Sequence, residues 1–129
     1  MTHKGSCLCG AVTFTVESSL DEASACHCSR CRKWTGHFLA DAEVPRDAVS
    51  VAGEENIRWY SMSEKARRGF CATCGSSLFF DPLDKVKHGW IGIALGAFDA
   101  PTRTKLKLHI FTANKGDYYE ILDGVPRHE

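Results

Sequence analysis

Apolar residues in this 129-residue chain recur mostly at every second position, and the runs are short. In VTFTVE (12–17), Val12, Phe14 and Val16 fall on one face and Thr13, Thr15 and Glu17 on the other, the alternation of a half-buried strand. HFLADAEV (37–44), AVSVA (48–52) and IRWYS (57–61) read as further strands, with AGEEN turning between the last two. ARRGF (66–70) runs into Cys71 and SLFF (77–80) follows Cys74, so this cysteine pair is predicted to sit on a hairpin-like knuckle. HGWIGIAL (88–95) is apolar or small on both faces, as in a buried strand. LKLHIFTA (106–113) sets Leu106, Leu108 and Ile110 against Lys107, His109 and Phe111, and YYEIL (118–122) predicts a last strand. Helix signals are few: a short helix over residues 29–34 and a turn opened by Asp47. The expectation is a mainly β protein of small coiled sheets, one domain over residues 1–129. Strand order does not follow from the pattern.

Composition narrows the class. Hydrophobic residues make up 43% and charged residues 25%, which is ordinary for a folded globular chain and unlike a disordered one. Basic and acidic side chains balance at 16 each, giving no reason to expect a nucleic acid or other polyanion as partner. The first residues lack the apolar stretch of a signal peptide, and the longest apolar run, WIGIALGAF (90–98), is too short to cross a bilayer. A cytoplasmic protein with no membrane partner is therefore expected; oligomeric state is unreadable.

Seven cysteines carry the candidate chemistry. An odd number leaves a pure disulfide framework incomplete, and a reducing compartment disfavours one. The thiols are clustered instead, as Cys7-x-Cys9, Cys26-x-Cys28-x-x-Cys31 and Cys71-x-x-Cys74, and tight clusters suit metal chelation. Both outer pairs end in glycine, Gly10 and Gly75, which accepts the positive φ of a chelating turn. Together they would make a four-thiolate structural zinc site that closes the chain across the 61 residues between Cys9 and Cys71. The remaining three, with one open position, match the donor count of a catalytic zinc. Spacing alone also allows Cys7 and Cys9 to join two thiols of the triplet. His27 is a possible fourth ligand, although its place between two ligating residues turns it away from a shared metal. His37, six residues beyond Cys31, is the better candidate for handling a proton. No ferredoxin-type spacing is present.

Four stretches in order, GSCLCGAVTF, CHCSRCRKWTG, RRGFCATCGSSLFF and HIFTANKGDYYEILDGVP, resemble the glutathione-dependent formaldehyde-activating enzyme family, which includes centromere protein V-like proteins. The resemblance runs from Gly5 to Pro126. It implies an Mss4-like β-tent of several small coiled antiparallel sheets, stabilised by zinc. It also implies two zinc ions per chain: a structural one on Cys7, Cys9, Cys71 and Cys74, and a substrate-facing, catalytic one on Cys26, Cys28 and Cys31. Tyr118 stands where the family often carries tryptophan. The implied activity is that of a carbon–sulfur lyase, joining glutathione or a similar small thiol to formaldehyde, or the reverse.

Zinc held by three thiolates can bind a thiol and deprotonate it, giving a nucleophile placed beside its electrophile. Arg30, Arg32, Lys33, Arg67 and Arg68 lie near the cysteines in sequence and could offset the negative charge or meet substrate carboxylates. The competing expectation is a non-catalytic two-zinc interaction module, with the triplet closed by a fourth protein ligand.

Overall fold

A computed structural model describes residues Met1–Glu129. Ten strands form two sheets: β1 (Thr2–Ser6), β2 (Thr13–Glu17), β3 (Ala23–Cys26), β4 (Leu39–Pro45), β5 (Val49–Ala52), β6 (Ile57–Ser61), β7 (Ala66–Cys71), β8 (Ser77–Pro82), β9 (Trp90–Ala94) and β10 (Leu108–Ile110). One helix, α1 (Ser29–Thr35), and short 3-10 turns complete the chain. The three-stranded sheet runs β1-β2-β5 and the seven-stranded sheet β10-β3-β4-β9-β8-β7-β6. The protein is therefore mainly β, as its alternation predicts. No helix is long and apolar enough to cross a membrane.

The inner faces of the two sheets meet over one core. Val12, Phe14 and Val16 point into it as their alternation requires, against Val44, Leu78, Phe79 and Ile93. Phe14 anchors the junction edge-on to Phe79 and Phe98, at centroid distances of 5.9 and 5.2 Å. Cys7 and Cys71 belong to this core. A second, small apolar cluster joins Cys26, Cys31 and Leu39, with Cys28, Trp34, Ala94 and Ile110 packed against it. The two sets of thiols thus sit in different mechanical settings, one in the main core and one beneath α1.

Three details depart from the sequence expectations. β10 lies parallel to β3, with Leu108 opposite Ser24 and Ile110 opposite Cys26, so one pair breaks the antiparallel rule of the resemblance. On β10 the more polar face supplies the buried residue: His109 is buried, whereas Leu108 and Ile110 are half-buried and Phe111 is exposed. Residues 118–122 form no strand. There, side chains satisfy the backbone instead of a ladder: Lys115 Nζ donates to the Tyr119 carbonyl at 2.6 Å and Arg127 Nη2 to that of Ile121 at 2.8 Å.

Candidate metal centre

The outer cysteine pairs meet in space. Cys7 and Cys9 follow β1, while Cys71 ends β7 and Cys74 lies in the turn to β8. Their four sulfurs all lie within 4.8 Å of one another. Cys7 Sγ is 3.7 Å from Cys9 Sγ, and Cys9 Sγ is 3.8 Å from Cys71 Sγ. A tetrahedron with Zn–S bonds of about 2.3 Å has edges of about 3.8 Å, so the donor set fits a tetrahedral metal. Backbone N–H groups already face the sulfurs: Val12 N–H donates to Cys7 Sγ at 3.3 Å and Thr73 N–H to Cys71 Sγ at 3.4 Å. Gly10 and Gly75 take φ of 81° and 80°, the left-handed conformation expected of them. Hydrogen bonds from the Ser76 hydroxyl and backbone hold the Cys74 thiol down to about 5.

Cys26, Cys28 and Cys31 form a separate group, also within 4.8 Å of one another. β3 delivers Cys26 at its last residue. Cys28 is the N-cap of α1, its sulfur accepting from Cys31 N–H at 3.4 Å, and the first turn of the helix brings Cys31 back to it. One thiol of the group thus caps the helix that carries the next. Gly36, at φ 89°, ends the helix in the left-handed conformation. Cys31 is held down to about 6, first by a hydrogen bond from Cys26 and then, against burial, by the charge of Arg68. The same shared hydrogen bond, then burial, pushes Cys26 up.

The nearby cations separate by position. Arg67 and Arg68 are adjacent on β7, so they project to opposite faces. Arg67 lies over Trp59 at 3.8 Å and pairs with buried Asp81, which also binds Arg46. Arg68 turns to the other face and donates to Cys31 Sγ from Nη1 and Nη2 at 3.5 and 3.6 Å. Arg30 and Lys33 are exposed, and Arg32 is half-buried.

Neither histidine candidate joins the triplet group. His37 is exposed, with Nδ1 2.9 Å from the Tyr118 hydroxyl. Both ring nitrogens of His27 are engaged elsewhere: Nδ1 is 2.5 Å from Tyr119 Oη, and Nε2 is 2.9 Å from His109 Nδ1. His109 continues through Nε2 to Asp123 Oδ2 at 2.9 Å. With both imidazoles neutral, the carboxylate fixes one polarity for the chain. His109 Nε2–H donates to Asp123, His27 Nε2–H to His109, and the Tyr119 hydroxyl to His27. Sequence reasoning misses His109 and Tyr119 as partners of His27, and Asp123 as the partner of His109. Their one signal is that the motif stretches CHC and HIF each supply one member and YYEILD two.

Burial, then the electrostatic influence of the neighbouring His109 and His37 rings, holds His27 down to about 4. The unfolded chain protonates this residue near pH 6.5 and the native chain only near 4. Between those values the unfolded state binds about one proton more, so stability falls as pH falls. Urea midpoints of the metal-loaded protein measured from pH 7 to 4.5 should show this slope. His27→Gln should flatten it relative to wild type at matched metal content.

Beside the triplet lies an open cleft of about 490 Å³. Leu39 and Ala94, which pack on the triplet thiols, form part of its wall, with Thr35 at the end of α1, Phe38 beyond it, and Leu8 and Ser76 from the four-thiol loops. A second cleft of about 470 Å³ lies around Trp59, Arg67 and Asp81, and no cysteine lines either cleft.

Fold and site together define a mainly β protein with two thiol clusters, each fit to hold a metal. The sequence model of the family described as glutathione-dependent formaldehyde-activating enzyme matches residues 2–114, and the chain belongs to that family. A putative glutathione-dependent formaldehyde-activating enzyme of Halomonas elongata is 30% identical over 131 aligned positions, covering 94% of this chain and 82% of that protein. An uncharacterized lyase of Schizosaccharomyces pombe is 35% identical over 79 positions, covering 60% of this chain and 56% of the relative. A crystal structure of a Rhodobacter sphaeroides protein matches with a TM-score of 0.63 at 29% identity, over 75% of this chain and 88% of that one.

Proposed function

We propose that the chain is a zinc-dependent carbon–sulfur lyase. It would add a small thiol such as glutathione to formaldehyde, or release formaldehyde from the adduct. The observation that carries this reading is the triplet itself: three thiols within 4.8 Å, grouped with no fourth His, Cys, Asp or Glu. His27, the nearest alternative in sequence, spends both nitrogens on Tyr119 and His109. Three protein donors leave room for an exogenous one, which supports an enzyme over a closed interaction module.

In this reading Cys7, Cys9, Cys71 and Cys74 hold a structural zinc, and Cys26, Cys28 and Cys31 a catalytic one. When bound at the triplet, zinc would lower the pKa of an incoming thiol and hold its sulfur in place. The residues around it do the rest. The cleft beside Leu39 and Phe38 is of a size that suits a small peptide thiol. Leu39 and Ala94 would give that sulfur an apolar wall on one side. His37, exposed and linked to Tyr118, would give or take the proton of the adduct hydroxyl. Lyase and formaldehyde-activating names among the relatives support the same class.

The test is exchange spectroscopy. With zinc-loaded protein, magnetisation transfer between formaldehyde hydrate and the S-hydroxymethyl adduct of glutathione should quicken in proportion to protein concentration. His37→Ala should lower that acceleration about tenfold or more, in line with the loss of a general acid. No acceleration with glutathione or any other small thiol would favour the interaction module.

A further inference from the structure

Arg68 is a buried cation that meets no carboxylate. Its side chain is 4% exposed. Trp34 and Phe80 enclose the guanidinium, whose carbon lies 5.0 and 5.1 Å from their ring centroids. Both terminal nitrogens donate to Cys31 Sγ, and Nε has no partner. Asp81, opposite Arg67 in the hairpin and on the other face, is taken by Arg46 and Arg67. Asp41, buried on β4, makes no ion pair or hydrogen bond with it. A guanidinium out of water is strongly unfavourable unless an anion faces it. The sulfur of Cys31 is the group that faces this one.

We propose that Arg68 is a positioning residue that sets the charge of the three-thiol site, so that the fourth position selects a thiolate over neutral donors. The inference rests on the reading of the triplet as an open metal site. Three thiolates around a divalent ion leave one negative charge, and an incoming thiolate would meet it at close range in a half-buried setting. Arg68 cancels that charge permanently, since a guanidinium does not titrate in the working range. Its forked hydrogen bonds also draw electron density from Cys31, which leaves the metal a better acceptor for another ligand. A lysine would keep the charge but not the fork, and would fit the aromatic cage less well.

Cobalt(II) in place of zinc makes the test visible, because thiolate-to-metal charge transfer absorbs in the near ultraviolet. Wild type, Arg68→Met and Arg68→Lys, each loaded at both clusters, are titrated with 2-mercaptoethanol and separately with imidazole. Arg68→Met should bind the thiol about tenfold or more weakly, the effect of one uncompensated charge nearby. Its affinity for neutral imidazole should stay within about twofold of wild type, because no net charge is brought in. Arg68→Lys should fall between the two for the thiol. The Cys31 contribution to the charge-transfer band should move to longer wavelength in Arg68→Met, since the sulfur lone pairs lose two donors.

Equal thiol affinity in wild type and Arg68→Met overturns the inference. So does a parallel loss of thiol and imidazole, which reduces Arg68 to a packing role. Cobalt at the four-thiol cluster reports folding in every protein. If Arg68→Met fails that control, Arg68→Lys decides by the same criterion: thiol affinity lost selectively supports the inference, and a parallel loss ends it. A wild type that takes no cobalt at the triplet, or no thiol on it, defeats the open-site reading first and this inference with it.

Discussion

Cys74→Ser should leave the chain largely unfolded at 37 °C, while Cys28→Ser should fold and lose one of two bound zinc ions. The two clusters differ in what depends on them. The four-thiol group ties the loop after β1 to the β7–β8 turn, and two of its members, Cys7 and Cys71, are packed in the main core with Phe14 and Phe79. A structural zinc contributes about 10–16 kcal/mol in small zinc peptides, against a typical net stability of about 5–15 kcal/mol for a whole domain. Losing one of four ligands there weakens a term as large as the margin. The triplet instead sits on the small cluster around Leu39. At Cys28 a serine retains a good N-cap for α1, so the substitution removes a sulfur but keeps the helix start. Elemental analysis and far-ultraviolet circular dichroism on both variants check the pair. Two zinc per wild-type chain, one in Cys28→Ser, and cooperative melting in Cys28→Ser alone is the expected set. Equal unfolding of both variants would remove the division into structural and catalytic metals.

That division was only half legible in the sequence. The clustering of thiols was plain, but spacing left two ways of sharing them. Only the approach of β7 to the loop after β1 brings Cys71 to Cys9, and long-range register is not written in local pattern. The alternation of Val12, Phe14 and Val16 was read correctly because a half-buried strand with large apolar residues advertises its face. β1 and β3 leave no such mark in the sequence. THKGS buries a histidine and a glycine, and ASAC buries alanines, so neither shows the bulky alternation of a strand. β10 misled for a related reason. Its inward residue is His109, and polar residues are ordinarily assigned outward unless a partner is known to satisfy them. The partners come from residues 27 and 123, far away in the chain. The RR pair in β7 shows the converse. Its period of two already required that the arginines part company, although which of them meets a thiol depended on the sheet.

The buried relay that misled the sequence reading carries the second large expected effect. His109→Leu should destabilise the metal-loaded protein by about 2–4 kcal/mol, the cost of deserting a buried donor and losing its partner bonds. Leucine fills much of the ring's volume, so the loss is chiefly polar. It removes the acceptor of His27 Nε2–H, a group on a side chain that is 1% exposed, and the donor to Asp123. Asp123→Asn should cost less, because that side chain is 46% exposed and water can replace the imidazole. His27 stands between two triplet thiols, so releasing its ring loosens the backbone that aims both. Zinc competition with a chromophoric chelator should therefore show weaker binding at the triplet by about tenfold, the scale seen when partners of ligating groups are removed. The four-thiol site should be unchanged. The double variant His27→Leu/His109→Leu decides whether the polar chain is responsible. Removing both partners abolishes the deserted N–H on that link, so the double variant should be less damaged than the two single losses added together. Strict additivity in urea unfolding would show that the two imidazoles act independently, and that the C-terminal segment holds Cys26 and Cys28 by packing alone.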